Sequence, residues 1–297
     1  MKPFDLIIGA ALGVGLAACA SVETQDDLAS VADTAPAELV EDSGLDIVVH
    51  EGDFAEIQQF TTPGGVSVWL VSEPSIPILS VAMAWEGGEA ADPEGLEGLA
   101  DAVVYHMNEG AGDLDSLAFQ TRMEDLNMSF GCSASSDWTS CSASMLTDNA
   151  DEAMSLVAQA FEAPRFDAGP FARFQREREV SLNTRETNAR YLAGRAEAQA
   201  IYPDHPYARE TSAESIAALT PELAKAHMRK LMVKDSLIVT AVGAITPEEL
   251  APMLDAIAES LPESNDLPET PEITFTVDGA FEPVLIDLPQ PQSLVRF

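Results

Sequence analysis

From residue 56 to 88 the chain alternates apolar and polar side chains with period two. EIQQFTTPGGVSVWLVSE reads as two short strands about a Pro63-Gly64-Gly65 turn, and ILSVAMAWEGG reads as a third. The spacing then lengthens to that of helices over 96–109 and 114–126, and returns to two in NMSFGCSASSDWTSCSASML. Helical patterns follow at 149–162, 168–188, 189–201 and 220–231, with a DHPY loop between the last two. A strand at 236–243 precedes a final helix opened by Thr246-Pro247-Glu248-Glu249, which puts a capping hydroxyl before Pro at the first helical position. Hairpins interleaved with helices, without strict βαβ alternation, predict an α+β fold: a mostly antiparallel sheet with helices packed on one face.

The predicted hairpin carries its own arithmetic. A two-residue turn at Ser136 and Asp137 pairs 135 with 138, 134 with 139, 133 with 140 and Cys132 with Cys141. That last pair falls at a non-hydrogen-bonded position, where opposing side chains come closest, so a structural cross-hairpin disulfide is expected. The alternative is two free, buried thiols.

The chain begins MKPFDLIIGAALGVGLAAC: one lysine, then a thirteen-residue apolar run from Leu6 to Ala18, too short to span a bilayer. Leu16-Ala17-Ala18-Cys19 resembles a bacterial lipobox, so residues 1–18 are expected to be a signal peptide and Cys19 the lipidated first residue of the mature protein. The cell envelope, with the domain on the periplasmic side, is the expected location. Ala20 and Ser21 lack the Asp that holds lipoproteins at the inner membrane, so the outer membrane is favoured. Residues 19–52 are rich in Ala, Ser, Thr, Asp and Glu and are expected to form an acidic tether. The peptidase-sized region then spans 53–262. Residues 263–297, Pro-rich at first and extended afterwards, are expected to be a linker and the start of a truncated second half-domain.

Charge narrows the partners. Fifty acidic against fifteen basic residues give a net charge of −35, which repels phosphate backbones and excludes nucleic acid. Most of this acidity reads as solvated surface, with attraction of basic peptides as a second use.

In chain order, VSVWLVSE, AWEGGEAADPEGLEGLAD, LNMSFGCSASSDWTS, APRF before a long helix, HPYARETSAESIAALTPE, LIVTAVGAITPEEL and LPQPQSLVRF together resemble the insulinase and pitrilysin family of zinc metallopeptidases, which includes the mitochondrial processing peptidases. The resemblance covers about residues 55–297 and implies that family's half-domain fold. Its active members use an inverted His-x-x-Glu-His motif: two His at i and i+4 bind zinc from one helical face, the Glu between them serves as general base, and a Glu from a later helix completes the ligand set.

Aligned on Gly98-Leu99-Ala100, the motif positions here hold Asp101 for the first His, Val104 for the base and Tyr105 for the second His. Val takes no proton from water, and a neutral Tyr is a poor zinc ligand. On the long helix, Glu186 aligns with the third ligand and Glu179 with an acid beside it, although seven of the fifteen basic residues lie between Arg165 and Arg195, so ion pairing explains these acids equally well. Four histidines occur; His106 lies one position past the motif, turned about 100° from its face.

The resemblance therefore implies a non-catalytic, lipid-anchored homologue without zinc, forming the substrate-chamber partner of an active subunit in a heterodimer that handles peptides or unfolded polypeptide. Two readings stand beside it: an active metallopeptidase with a variant site of Asp101, His106 and Glu186, and a binding or scaffold lipoprotein.

Overall fold

Eight strands and eight α-helices account for most of the architecture among the described residues. The computed structural model describes residues 38–39 (backbone), 44–52, 55–273, 283–289 and 292–296. The strands are β1 (Glu38–Leu39), β2 (Val48–Glu51), β3 (Glu56–Thr61), β4 (Ser67–Ser72), β5 (Ile78–Glu86), β6 (Ser129–Ala134), β7 (Trp138–Leu146) and β8 (Ile238–Gly243). The helices are α1 (Leu99–His106), α2 (Ser116–Asp125), α3 (Ala150–Glu162), α4 (Ala168–Arg185), α5 (Ala189–Ile201), α6 (Ala213–Ala218), α7 (Pro221–Leu231) and α8 (Pro247–Ala258).

Among the described residues these strands form one sheet in the order β1-β2-β3-β4-β8-β5-β7-β6. Every neighbouring pair is antiparallel except β4 and β8, which run parallel with Val68 opposite Val239. The expected α+β fold with a mostly antiparallel sheet is the one observed.

Alternation in the strands separates the two faces. Leu79, Val81, Met83 and Trp85 of β5, Val68 and Leu70 of β4, and Val239 and Ala241 of β8 point into the core. Their neighbours Ser80, Ala82, Trp69, Thr240 and Val242 are exposed on the opposite face. Helices cover the apolar face: α1 packs on β6 and α7, and α3 on β7 and α8. Burying the Trp85 and Phe161 rings, 5.6 Å apart, is the kind of contact that contributes about 1.5–3 kcal/mol per side chain. No helix among the described residues is long and apolar enough to cross a membrane.

The β6–β7 hairpin has the register expected from its turn: Ala134 opposes Thr139, Ser133 opposes Ser140, and Cys132 opposes Cys141 with a disulfide across a Cα separation of 4.0 Å. Its tip closes on the Gly-rich segment before α1. Gly87 N–H donates to Asp137, Glu89 to Ser135 and Ala90 to Ser136. A Cβ on Gly88 would lie 2.1 Å from the Ser135 carbonyl, so only glycine permits this approach.

Several boundaries differ from expectation, and α1, read over 96–109, closes at His106. Residues 48–51, placed in the tether by their surroundings, pair antiparallel with β3, because Ile47, 3% exposed, anchors the segment in the core. The short helix α6, capped reciprocally by Ser212 and Ser215, occupies a stretch to which the sequence pattern assigned no element. Within 263–297, the described residues carry no helix or strand. Cys19 and the signal segment lie outside the described residues.

Candidate functional site

The site is built on α1, whose start is fixed by a side chain well ahead of it. The Asp92 carboxylate, buried, accepts the first free N–H groups of the helix: Gly98 at 2.8 Å, Leu99 at 3.0 Å and Ala100 at 2.8 Å. His227 Nε2 of α7 lies 3.2 Å from the same carboxylate. Arg209 donates to the Asp92 and Ala90 carbonyls, each at 2.6 Å, which ties the HPYAR segment to this turn. Gly98 itself has φ of +100°, and a Cβ there would press on Ile216 and Thr211.

From that anchored start, residues 101 and 105 follow at i and i+4 on α1, Glu109 sits in the turn just after the helix, and all three face α4. Each is engaged by α4. Asp101 accepts from both Nε and an Nη of Arg178, at 2.5 and 2.8 Å. The Tyr105 hydroxyl donates to Glu177 at 3.1 Å and accepts from Arg173 Nε at 3.1 Å. Arg173 donates onward to Glu109 at 2.6 Å, and Ser116 donates to the same oxygen at 2.5 Å. The Arg178 guanidinium also lies over the Phe174 ring, 5.1 Å from its centroid.

Val104, between the two motif ends, is buried with 7% exposure. Burial raises the Tyr105 phenol above its ordinary value, with the Arg173 contact opposing, so the hydroxyl stays neutral.

The remaining predicted residues do not join this cluster. His106 is fully buried, its Nδ1 2.7 Å from the Ala102 carbonyl and its ring stacked on Phe166 and Phe171. Burial pushes its imidazole below the ordinary histidine value. Glu186 caps the C-terminus of α4 and pairs with Arg195 of α5 at 3.2 Å. Glu179 is exposed on α4. Two residues past Glu177, it is turned about 200° around the helix from the stripe, and Glu186 lies roughly 12 Å along the axis from Arg178. The carboxylate that the fold brings to Tyr105 is thus Glu177.

Arg173, Glu177 and Arg178, together with Asp92, are the residues sequence reasoning missed. Their signal was present for the first three: an α4 stripe of alternating charge at positions 173, 177 and 178 complements Asp101, Tyr105 and Glu109 at helical spacing.

Zinc is the metal implied by the fold family, and this donor set does not fit it. Both Asp101 oxygens are taken by a guanidinium, Tyr105 is a neutral phenol, residue 104 offers no donor, and His106 is turned into an aromatic cage. A dication placed on this stripe would sit against Arg173 and Arg178. Among the described residues no three His, Cys, Asp or Glu side chains are grouped to hold a metal ion.

The family profile for insulinase, peptidase family M16, matches residues 67–213. The non-peptidase homolog YmxG of Helicobacter pylori is 21% identical over 190 residues, covering 63% of this chain and 44% of that protein. Among solved structures, the inactive domain of an M16 peptidase from Pseudomonas fluorescens superposes with a TM-score of 0.69 at 23% identity, covering 73% of this chain and 54% of that one. The periplasmic protease PqqL of Escherichia coli gives 0.67 at 18% identity, covering 83% of this chain and 27% of its own. The chain thus spans about half the length of the first two of these relatives, or less. Residues 67–213 thus identify this protein with the insulinase family, peptidase family M16.

Proposed function

We propose that this protein is a non-catalytic insulinase-family half-domain, held at the bacterial envelope by a lipid on Cys19, that forms one wall of a peptide-handling chamber with an active subunit. The observation that carries the reading is the occupation of the motif stripe: every polar side chain on it is committed to α4, and the base position is a buried valine. A group that neither ionises water nor binds zinc contributes no hydrolysis.

What the half-domain can still contribute is binding. β6 ends the sheet, so its outer edge is unpaired among the described residues, and it lies beside α1. An extended peptide can add there as a further strand, with main-chain hydrogen bonds that ignore sequence.

The test is made on the soluble Cys19→Ser chain purified without chelators. Elemental analysis is expected to find close to no zinc, and peptide hydrolysis is expected only when a family member with an intact His-x-x-Glu-His motif is added. About one tightly held zinc per chain, with hydrolysis by this chain alone, would overturn the proposal.

A further inference from the structure

The motif stripe is not merely emptied of ligands. Asp101 and Tyr105 on α1, and Glu109 in the turn just after it, meet Arg173, Glu177 and Arg178 on α4 in a ladder of polar contacts, and both cations of that ladder are supplied by the protein. The Arg178 side chain is 30% exposed and that of Asp101 28%, so this pair is largely, though not fully, withdrawn from water. The planar guanidinium satisfies both oxygens of Asp101 at once, and its face rests against Phe174.

Resting on the non-catalytic reading above, we infer that Arg178 is the resident cation of this site: it supplies the positive charge that the motif stripe otherwise takes from a metal, and it excludes zinc. By the same geometry, Glu177 is the α4 carboxylate that faces the stripe. Two consequences follow from electrostatics. Restoring the ligands on α1 alone leaves the Arg178 guanidinium, still beside the Phe174 ring, as a positive charge where the dication must sit, so the restored site stays empty. Removing Arg178 as well opens it, with Glu177 available as third donor.

The experiment compares two variants by equilibrium dialysis against zinc sulfate followed by elemental analysis, with circular dichroism to verify folding. The first is Asp101→His/Val104→Glu/Tyr105→His, and the second adds Arg178→Ala. The first is expected to retain little zinc and the second about one per chain, with its Tm raised by the metal. Adding Glu177→Gln to the second variant is expected to lower that zinc occupancy, whereas adding Glu186→Gln is not. Full loading of the first variant, or an empty but folded second variant, overturns the inference.

A cycle in the native chain guards against loss of the fold in the multiple variants. Arg178→Gln and Asp101→Asn are each expected to lower Tm by about 2–4 °C, and the pair together by no more than either alone. Additive losses would show that the two do not act as one unit and would overturn the assignment. Zinc in the unaltered chain counts against the non-catalytic reading, whereas zinc in the first variant counts against this inference alone, so the two failures are distinguishable.

Discussion

Asp101 and Arg178 lie 77 positions apart in the chain and form a two-point ion pair, with N···O distances of 2.5 and 2.8 Å, that joins α1 to α4. The geometry is the strong, forked kind, but both side chains keep contact with solvent, and screening discounts the energy. Arg178→Ala is expected to cost about 1–2 kcal/mol, read from the midpoint of urea unfolding, because it also removes the packing over Phe174. An unchanged midpoint would mean that the pair forms without holding the helices together.

His106 predicts how stability varies with pH. Its folded-state value is depressed by burial, so the unfolded chain takes up a proton near pH 6.5 while the folded chain does not. Between about pH 6.5 and the lower folded value, the unfolded state binds more protons, and this contribution to stability falls as pH falls, by at most about 1.4 kcal/mol per unit. Above pH 6.5 both states are neutral and the contribution is fully present. His106→Phe is expected to flatten this part of the profile in urea titrations from pH 7.5 to 5; an unaltered slope would assign it to other groups.

The Cys132–Cys141 disulfide closes a short loop with a sequence separation of 9 and secures β6 at the edge of the sheet. Replacing both cysteines by serine is expected to lower unfolding stability by about 2–3 kcal/mol, the loop-entropy value for a ring of this size. Hydrogen exchange is expected to rise first in 129–134. Uniform loss of protection across the sheet would contradict a local role.

Asp92 is the buried cap of α1 and accepts three backbone N–H groups. Asp92→Ala leaves those donors and His227 without it, and is expected to cost about 2–3 kcal/mol, more than an exposed cap. Because the register of the whole motif stripe depends on this start, the variant is also expected to weaken the coupling between Asp101 and Arg178 in the double-mutant cycle. Full retention of that coupling would place the control of α1 elsewhere.

Cys19→Ser is expected to move the protein from the membrane fraction to the soluble periplasmic fraction and to abolish incorporation of a radiolabelled fatty acid. Retention of label in the variant would remove the lipid anchor from the proposed function.

Local signals in the chain anticipated many of the pieces. Thr246 and Glu249 form the reciprocal cap announced by Thr-Pro-Glu-Glu, and α5 spans the 189–201 segment expected of it. Elements held mainly by distant contacts were harder to see. β2 is recognisable only through the burial of Ile47 and its pairing with β3, since its composition matches the polar segment before it. α6 has the length of a turn and a half, too short for periodicity to show.

The sequence by itself determined the chemistry that residues 101, 104 and 105 can perform, because protonation and metal affinity belong to side-chain type, and it determined the disulfide register, because a two-residue turn sets every pair of a hairpin. Only the tertiary structure decided what Asp101 and Tyr105 touch. A helix shows a new face every 100° or so, and the rotation and height of α4 against α1 are set by the packing of Phe171 and Phe174 around His106. That packing presents Glu177 and Arg178 to the stripe, leaves Glu179 on the exposed side and carries Glu186 to Arg195. The same holds for Asp92, whose role as a cap depends on a turn folded back by Arg209 from 117 positions away.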